Sequence, residues 1–158
     1  MKFVTKNFLE TQKIAEKLIK KLKSGEVLAL KGNLGSGKTC FAQGLAKVLG
    51  IKKIITSPTF VLLKIYLTKH RIKKLYHFDL YRIKNENELL DLGFEEILEK
   101  KDGIIVLEWP ERVKKILPAK RININFKFID ENTRTITIKC KMQDAKQKIK
   151  TKINPNDK

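Results

Sequence analysis

The run Gly32-Asn33-Leu34-Gly35-Ser36-Gly37-Lys38-Thr39 fits the pattern G-x-x-x-x-G-K-[ST] at every defined position. Phosphate recognition needs several N–H donors converging on one point. Gly35 and Gly37 free the backbone to curl that tightly, and a helix starting after the loop adds unpaired N–H groups and its positive dipole end. Lys38 can reach β- and γ-phosphate oxygens, and the Thr39 hydroxyl suits Mg2+, a hard cation that takes oxygen ligands. The loop predicts a nucleoside triphosphate site. A guanine site would carry [NT]-K-x-D. Thr5-Lys6, Thr68-Lys69 and Thr151-Lys152 begin that pattern, but none has aspartate in the fourth position, and no Asp-x-x-Gly switch is present. ATP is the expected nucleotide.

Three further segments carry groups that could complete such a site. Ile104 to Leu107 is an apolar run that delivers Glu108 at its end, where an acid can hold Mg2+ directly or through water. Trp109 beside it covers the site or belongs to the core. In His77-Phe78-Asp79-Leu80-Tyr81-Arg82, strand periodicity puts His77, Asp79 and Tyr81 on one face. If that face meets the nucleotide, Asp79 can orient or deprotonate the attacking water. Arg82 then serves the γ-phosphate or an ion pair, and His77 alone reads as structural. Thr56-Ser57-Pro58-Thr59-Phe60 is either a switch-like segment with a hydroxyl for Mg2+ or phosphate, or a plain Ser-Pro turn.

These residues need elements to hold them. Leu9 to Leu22 has helical spacing at Ile14, Leu18 and Leu22, and Ser24-Gly25 ends it. Glu26 to Lys31 reads as a buried strand, and Lys38 to about Leu49 as a helix closed by Gly50. Phe60 to Leu67 and Lys74 to Tyr81 read as strands, and Glu86 to Lys100 as one or two short helices interrupted at Gly93. Ile122 to Phe128 and Thr135 to Lys139 alternate about the turn Asp130-Glu131-Asn132, a hairpin pattern. The expected fold is a three-layer α/β P-loop NTPase. Its mixed sheet is parallel near the loop and antiparallel toward the hairpins. Residues 1–141 are expected to form the ATPase domain and 142–158 a polar, lysine-rich tail.

The 158 residues are 42% hydrophobic, enough for one core and too much for a disordered chain. No apolar run is long enough to cross a bilayer, and no signal core follows Met1-Lys2, so a cytoplasmic protein without membrane association is expected. Cys40 and Cys140 are too far apart in sequence for a zinc-type cluster and read as ordinary thiols, although Cys40 lies near a helix N-terminus that can activate it. The formal charge is +18. Most of it is lysine spread along the chain, alongside much isoleucine and asparagine, as an AT-rich coding sequence favours. It reads as biased composition rather than a dedicated nucleic-acid surface.

G-N-L-G-S-G-K-T at Gly32 to Thr39, S-P-T-F at Ser57 to Phe60, H-F-D-L-Y-R at His77 to Arg82 and E-W-P-E-R at Glu108 to Arg112 occur in this order. The set resembles the bacterial TsaE family, also called YjeE, from about Phe8 to Cys140. The resemblance implies an ATPase required for threonylcarbamoylation of the adenosine next to the anticodon (t6A) in tRNAs reading ANN codons. It implies TsaB and TsaD as partners in a complex that ATP hydrolysis resets between turnovers, with tRNA met through that complex. It also implies Mg2+ on Thr39 and Glu108, and Asp79 with Lys38 in hydrolysis. The nucleotide would lie against residues 33–40 (Asn33, Leu34, Gly35, Ser36, Gly37, Lys38, Thr39 and Cys40), Thr59 and Trp109. Asn33 stands where many members have aspartate, and Cys40 where a small hydroxyl residue is common.

Two other functions fit parts of the pattern. A small-metabolite kinase would use the same loop, but its arginine-bearing lid is not visible among Arg71, Arg82, Arg112, Arg121 and Arg134. An RNA-binding module would account for the charge and predicts steeply salt-dependent tRNA binding.

Overall fold

The structure is a computed structural model and describes residues 1–58 and 60–140. Thr59 and the tail expected at 142–158 lie outside the described residues. The chain runs β1 (Lys2–Thr5), α1 (Phe8–Ile19), β2 (Val27–Lys31), α2 (Lys38–Val48), β3 (Leu63–Leu67), β4 (Lys74–Asp79), α3 (Glu86–Asp91), α4 (Phe94–Lys100), β5 (Gly103–Glu108), a 3-10 turn (Pro110–Val113), β6 (Ile122–Phe128) and β7 (Arg134–Cys140). The seven strands form one sheet in the order β1-β7-β6-β2-β5-β4-β3. The central strand β2 is parallel to both neighbours, β5 and β6, and β4 is parallel to β5. The outer pairs β3–β4, β6–β7 and β1–β7 are antiparallel. This is the three-layer fold with a mixed sheet that the sequence predicts.

Two cores sandwich the sheet. One lies under α1 and α2 and includes Leu18, Leu28, Leu30, Phe41, Leu45, Val106, Ile124 and Ile138. The other lies under α3, α4 and the 3-10 turn, where Phe78 meets Phe94 edge-on at 5.6 Å. Burying such side chains contributes about 1.5–3 kcal/mol each. The two innermost strands are therefore buried on both faces: β5 is buried along its whole length and β2 up to Lys31.

The differences from expectation are local. The helix expected to reach Leu22 ends at Ile19, because its last turn tightens: the N–H groups of Lys21 and Leu22 donate to Leu18 O and Ile19 O at 2.9 and 3.2 Å. Leu22 stays buried regardless. The strand expected from Phe60 begins at Leu63. Pro58 O accepts from the N–H groups of Val61 and Leu62, a turn that leaves Phe60 84% exposed. The strand expected to run to Tyr81 stops at Asp79, because the Tyr81 N–H donates to Asp79 Oδ1 at 2.9 Å and turns the chain off the sheet. Edge strand β1 is not foreseen in the sequence. Four residues give little alternation, and their pairing with β7 is tertiary.

Candidate functional site

The glycine loop leaves the carboxyl end of β2 and enters α2, and the ends of β4 and β5 lie beside it. Parallel sheets open their ligand crevices at this edge. Gly35 and Gly37 have φ of 74° and 105°, left-handed values that let the loop turn its N–H groups inward. Gly32 is needed for space: a Cβ there would lie 2.5 Å from Ser36 Oγ and 2.9 Å from Phe126 O.

Lys38 is buried, with Nζ donating to Gly32 O at 2.7 Å and Asn33 O at 2.9 Å. It also lies 4.1 Å above the Trp109 ring. Burial pulls its pKa below the ordinary lysine value, opposed by the carboxylates of Glu108, Glu111 and Asp79. The ammonium is thus held at the mouth of the loop by two carbonyls that an anion can replace.

The carboxylates meet as strand register requires, since Asp79 and Glu108 are paired positions of β4 and β5. Glu108 is 2% exposed and accepts from Thr39 Oγ1 at 3.0 Å. Its Oε1 also lies 2.8 Å from His77 Nε2. His77 is fully buried, and its Nδ1 has no hydrogen-bond partner among the described residues. Asp79 Oδ2 accepts from the Ser57 hydroxyl. A cleft of ≈ 500 Å³ joins Lys38, Thr39, Ser57, Asp79, Glu108 and Arg134, with Leu34, Cys40, Tyr81 and Arg82 also on its walls.

The family model described as "Threonylcarbamoyl adenosine biosynthesis protein TsaE" matches residues 5–136. The chain belongs to the TsaE family. It is 40% identical over 136 residues to a Rickettsia felis protein named tRNA threonylcarbamoyladenosine biosynthesis protein TsaE, covering 85% of this chain and 77% of that one. The TsaE of Treponema pallidum is 38% identical over 138 residues, 87% of this chain and 99% of that one. The solved structure of Bacillus subtilis YdiB superposes with a TM-score of 0.80 at 32% identity, over 96% of this chain and 92% of that one.

Most of the TsaE motif residues singled out in the sequence converge on the cleft. Lys38, Thr39, Asp79 and Glu108 face it with Leu34, Gly35, Gly37 and Cys40, while Asn33 and Ser36 are not among its lining residues. Asn33 acts through its carbonyl, which also accepts from the Ser36 N–H at 3.1 Å. Trp109 both covers Lys38 and packs on the second core, with the Tyr81 ring tilted against it at 4.9 Å between centroids. Arg82 lies at the rim with its guanidinium 4.5 Å over the Phe60 ring. The Cys40 thiol is not activated: burial pushes its pKa up against the pull of Arg134, and Sγ donates to Phe8 O.

Three functional candidates were missed or undervalued in sequence. His77, read as structural, is hydrogen-bonded to Glu108. Ser57, where the expectation names Thr59, supplies a hydroxyl to the cleft. Arg134 reaches the loop from β7, with Nη1 3.1 Å from where a Gly37 Cβ would stand. It is 8% exposed, and its Nε has no partner among the described residues. The available signal was parity: Arg134 shares a strand face with Ile136 and Ile138, so the alternation aims a cation inward.

The donors present fit a magnesium nucleotide. Mg2+ at a phosphate keeps most of its water and takes one or two protein oxygens. Thr39 Oγ1 and the Glu108 carboxylate supply these side by side, with His77 as an orienting partner. The loop, Lys38 and Arg134 supply the positive field that phosphates require.

Proposed function

We propose that this chain is a Mg2+-dependent ATPase acting in tRNA threonylcarbamoyladenosine biosynthesis. Family membership supports the pathway. The meeting of the phosphate loop with Thr39, Glu108 and Asp79 in one cleft carries the chemistry. Mg2+, when bound, supplies charge neutralisation on the phosphates. Thr39 and Glu108 would hold it, and His77 fixes the Glu108 carboxylate through Nε2. Lys38 exchanges its two loop carbonyls for phosphate oxygens, and Arg134 adds a second cation from the β7 side. Asp79, steadied by Ser57 and the Tyr81 N–H, orients the attacking water and accepts its proton.

The proposal extends to a TsaB–TsaD complex as the partner that gates turnover and meets tRNA, in the cytoplasm. No described helix is long and apolar enough to cross a membrane. Isolated turnover is slow on this reading, because a partner completes the transition-state contacts. The test is ATP hydrolysis by the purified protein alone and with a TsaB–TsaD complex, with Lys38→Ala as control. Stimulation that requires both partner and Lys38 supports the reading. Phosphoryl transfer to an added metabolite instead of water would refute it in favour of a kinase.

A further inference from the structure

Beside the central strand β2 the sheet is clothed on one face only. In β6 and β7, Ile122, Ile124, Phe126, Ile136 and Ile138 enter the core under α1 and α2. The alternate positions Asn123, Asn125, Thr137 and Lys139 point the other way and are half-buried or exposed. They form one continuous row, since Ala29 pairs with Asn123, Asn123 with Lys139 and Asn125 with Thr137. The second core reaches Val27 of β2 and includes no residue of β6, β7 or β1. The 3-10 turn and the segment after it wall this bare face into a groove of ≈ 410 Å³.

The charge of the groove is one-sided. Lys31, Lys114, Arg121 and Lys139 line it against the single carboxylate of Glu111. None of those four cations pairs with a carboxylate among the described residues. Strands β1, β2, β6 and β7 contain no Asp or Glu, whereas the α3–α4 segment carries Glu86, Glu88, Asp91, Glu95, Glu96 and Glu99. A compositional excess of lysine leaves the carboxylates free to fall anywhere. Here they fall on α3 and α4, which cover the same face of the sheet over β4 and β5, and leave Glu111 as the one carboxylate lining the groove over β2, β6 and β7, a departure from the even charge that the sequence suggests.

We propose that this open face binds RNA, taking the sugar–phosphate backbone of a strand along the β6–β7 row. Cations answer the phosphates, and the amides of Asn125 and of Asn123, whose Oδ1 already accepts from Arg121 Nε at 2.9 Å, offer neutral groups between them. An acidic protein is a poorer occupant, since protein interfaces centre on apolar and aromatic side chains. This groove offers only Ala29, Pro110 and Leu117 of that kind. The lining has no aromatic ring, so recognition runs through backbone charge and not base stacking. No residue of the groove lines the nucleotide cleft, so the proposal stands apart from the ATPase reading.

The test is fluorescence anisotropy of a labelled, unmodified tRNA transcript with the full chain across a salt series. Four neutralised phosphates predict a slope of log K against log salt of roughly −3. Lys114→Gln with Lys139→Gln, both exposed, removes about 1.5 from that slope and weakens binding more than about 10-fold at low salt. Lys13→Gln with Lys17→Gln, exposed on α1, makes the same charge change on another face and leaves the slope near its original value. Circular dichroism and ATP binding of both double variants report an intact fold. Equal weakening by the two pairs overturns the proposal in favour of diffuse charge. Poly-L-glutamate competing as well as tRNA overturns it in favour of an acidic protein, and DNA of the same sequence competing equally overturns the assignment to RNA.

Discussion

Replacing His77 by leucine isolates the orienting contact from the rest of the site. The imidazole is fully buried, and its one side-chain hydrogen bond among the described residues joins Nε2 to Glu108 Oε1 at 2.8 Å. Leucine fills the space and leaves Glu108 with Thr39 alone. Losing a hydrogen bond to a buried charge costs about 1.5–3 kcal/mol. The unpartnered His77 Nδ1 leaves with the ring and returns part of that, so the net loss sits near the lower end. At about 1.5 kcal/mol, a chain of this length falls by roughly 3–6 °C in Tm. The larger effect is on metal-assisted binding: an orienting partner lost from behind a metal ligand costs about 10–100-fold in affinity. The assay is titration of ATP at millimolar Mg2+ and again in EDTA. ATP affinity of His77→Leu should fall 10-fold or more with Mg2+ and stay near wild type in EDTA. Equal losses in both media would refute the orienting role, as would full Mg2+ dependence in the variant.

Other outcomes follow from the same geometry. Asp79→Asn should bind ATP like the wild type and lose turnover, read in a partner-stimulated phosphate-release assay. Arg134→Ala gives up a charge-assisted contact worth about 1.5–3 kcal/mol, so its ATP Kd should rise roughly 10–100-fold by calorimetry. Gly32→Ala drives a Cβ against Ser36 Oγ and the Phe126 carbonyl and should lower both Tm and ATP affinity. For Lys38 the folded pKa is depressed, so the unfolded chain binds more protons and stability rises with pH through the window below 10.5. Lys38→Met lacks this penalty, so its Tm advantage over wild type without nucleotide should shrink between pH 8 and pH 10.

Where chemistry and local pattern coincide, the sequence was sufficient. A buried run, a glycine loop and an amphipathic helix follow one another from Val27 to Val48, and each is defined by neighbours in the chain. Asp79 and Glu108 were each legible as acids carried by largely apolar strands, but their pairing appears only with β4 beside β5. What stayed hidden depends on contacts between distant segments. Arg134 looked like one arginine at a hairpin turn until the register of β7 brought it to Gly37. His77 met Glu108 only once β5 lay beside β4. The short strand β1 exists because β7 offers it an edge, with the amino terminus donating to Ile138 O at 2.8 Å. The groove likewise needs strand order, since lysines scattered over the chain share a face only after β2, β6 and β7 are laid side by side.

The central claim is that the loop and the carboxylates form one magnesium-nucleotide site. Its most direct test is calorimetric titration of ATP with Mg2+ into the wild type, Lys38→Ala and Glu108→Gln. The account predicts binding by the wild type, near-complete loss in Lys38→Ala, and in Glu108→Gln a loss confined to the Mg2+-dependent part. Unchanged ATP binding in Lys38→Ala would contradict it.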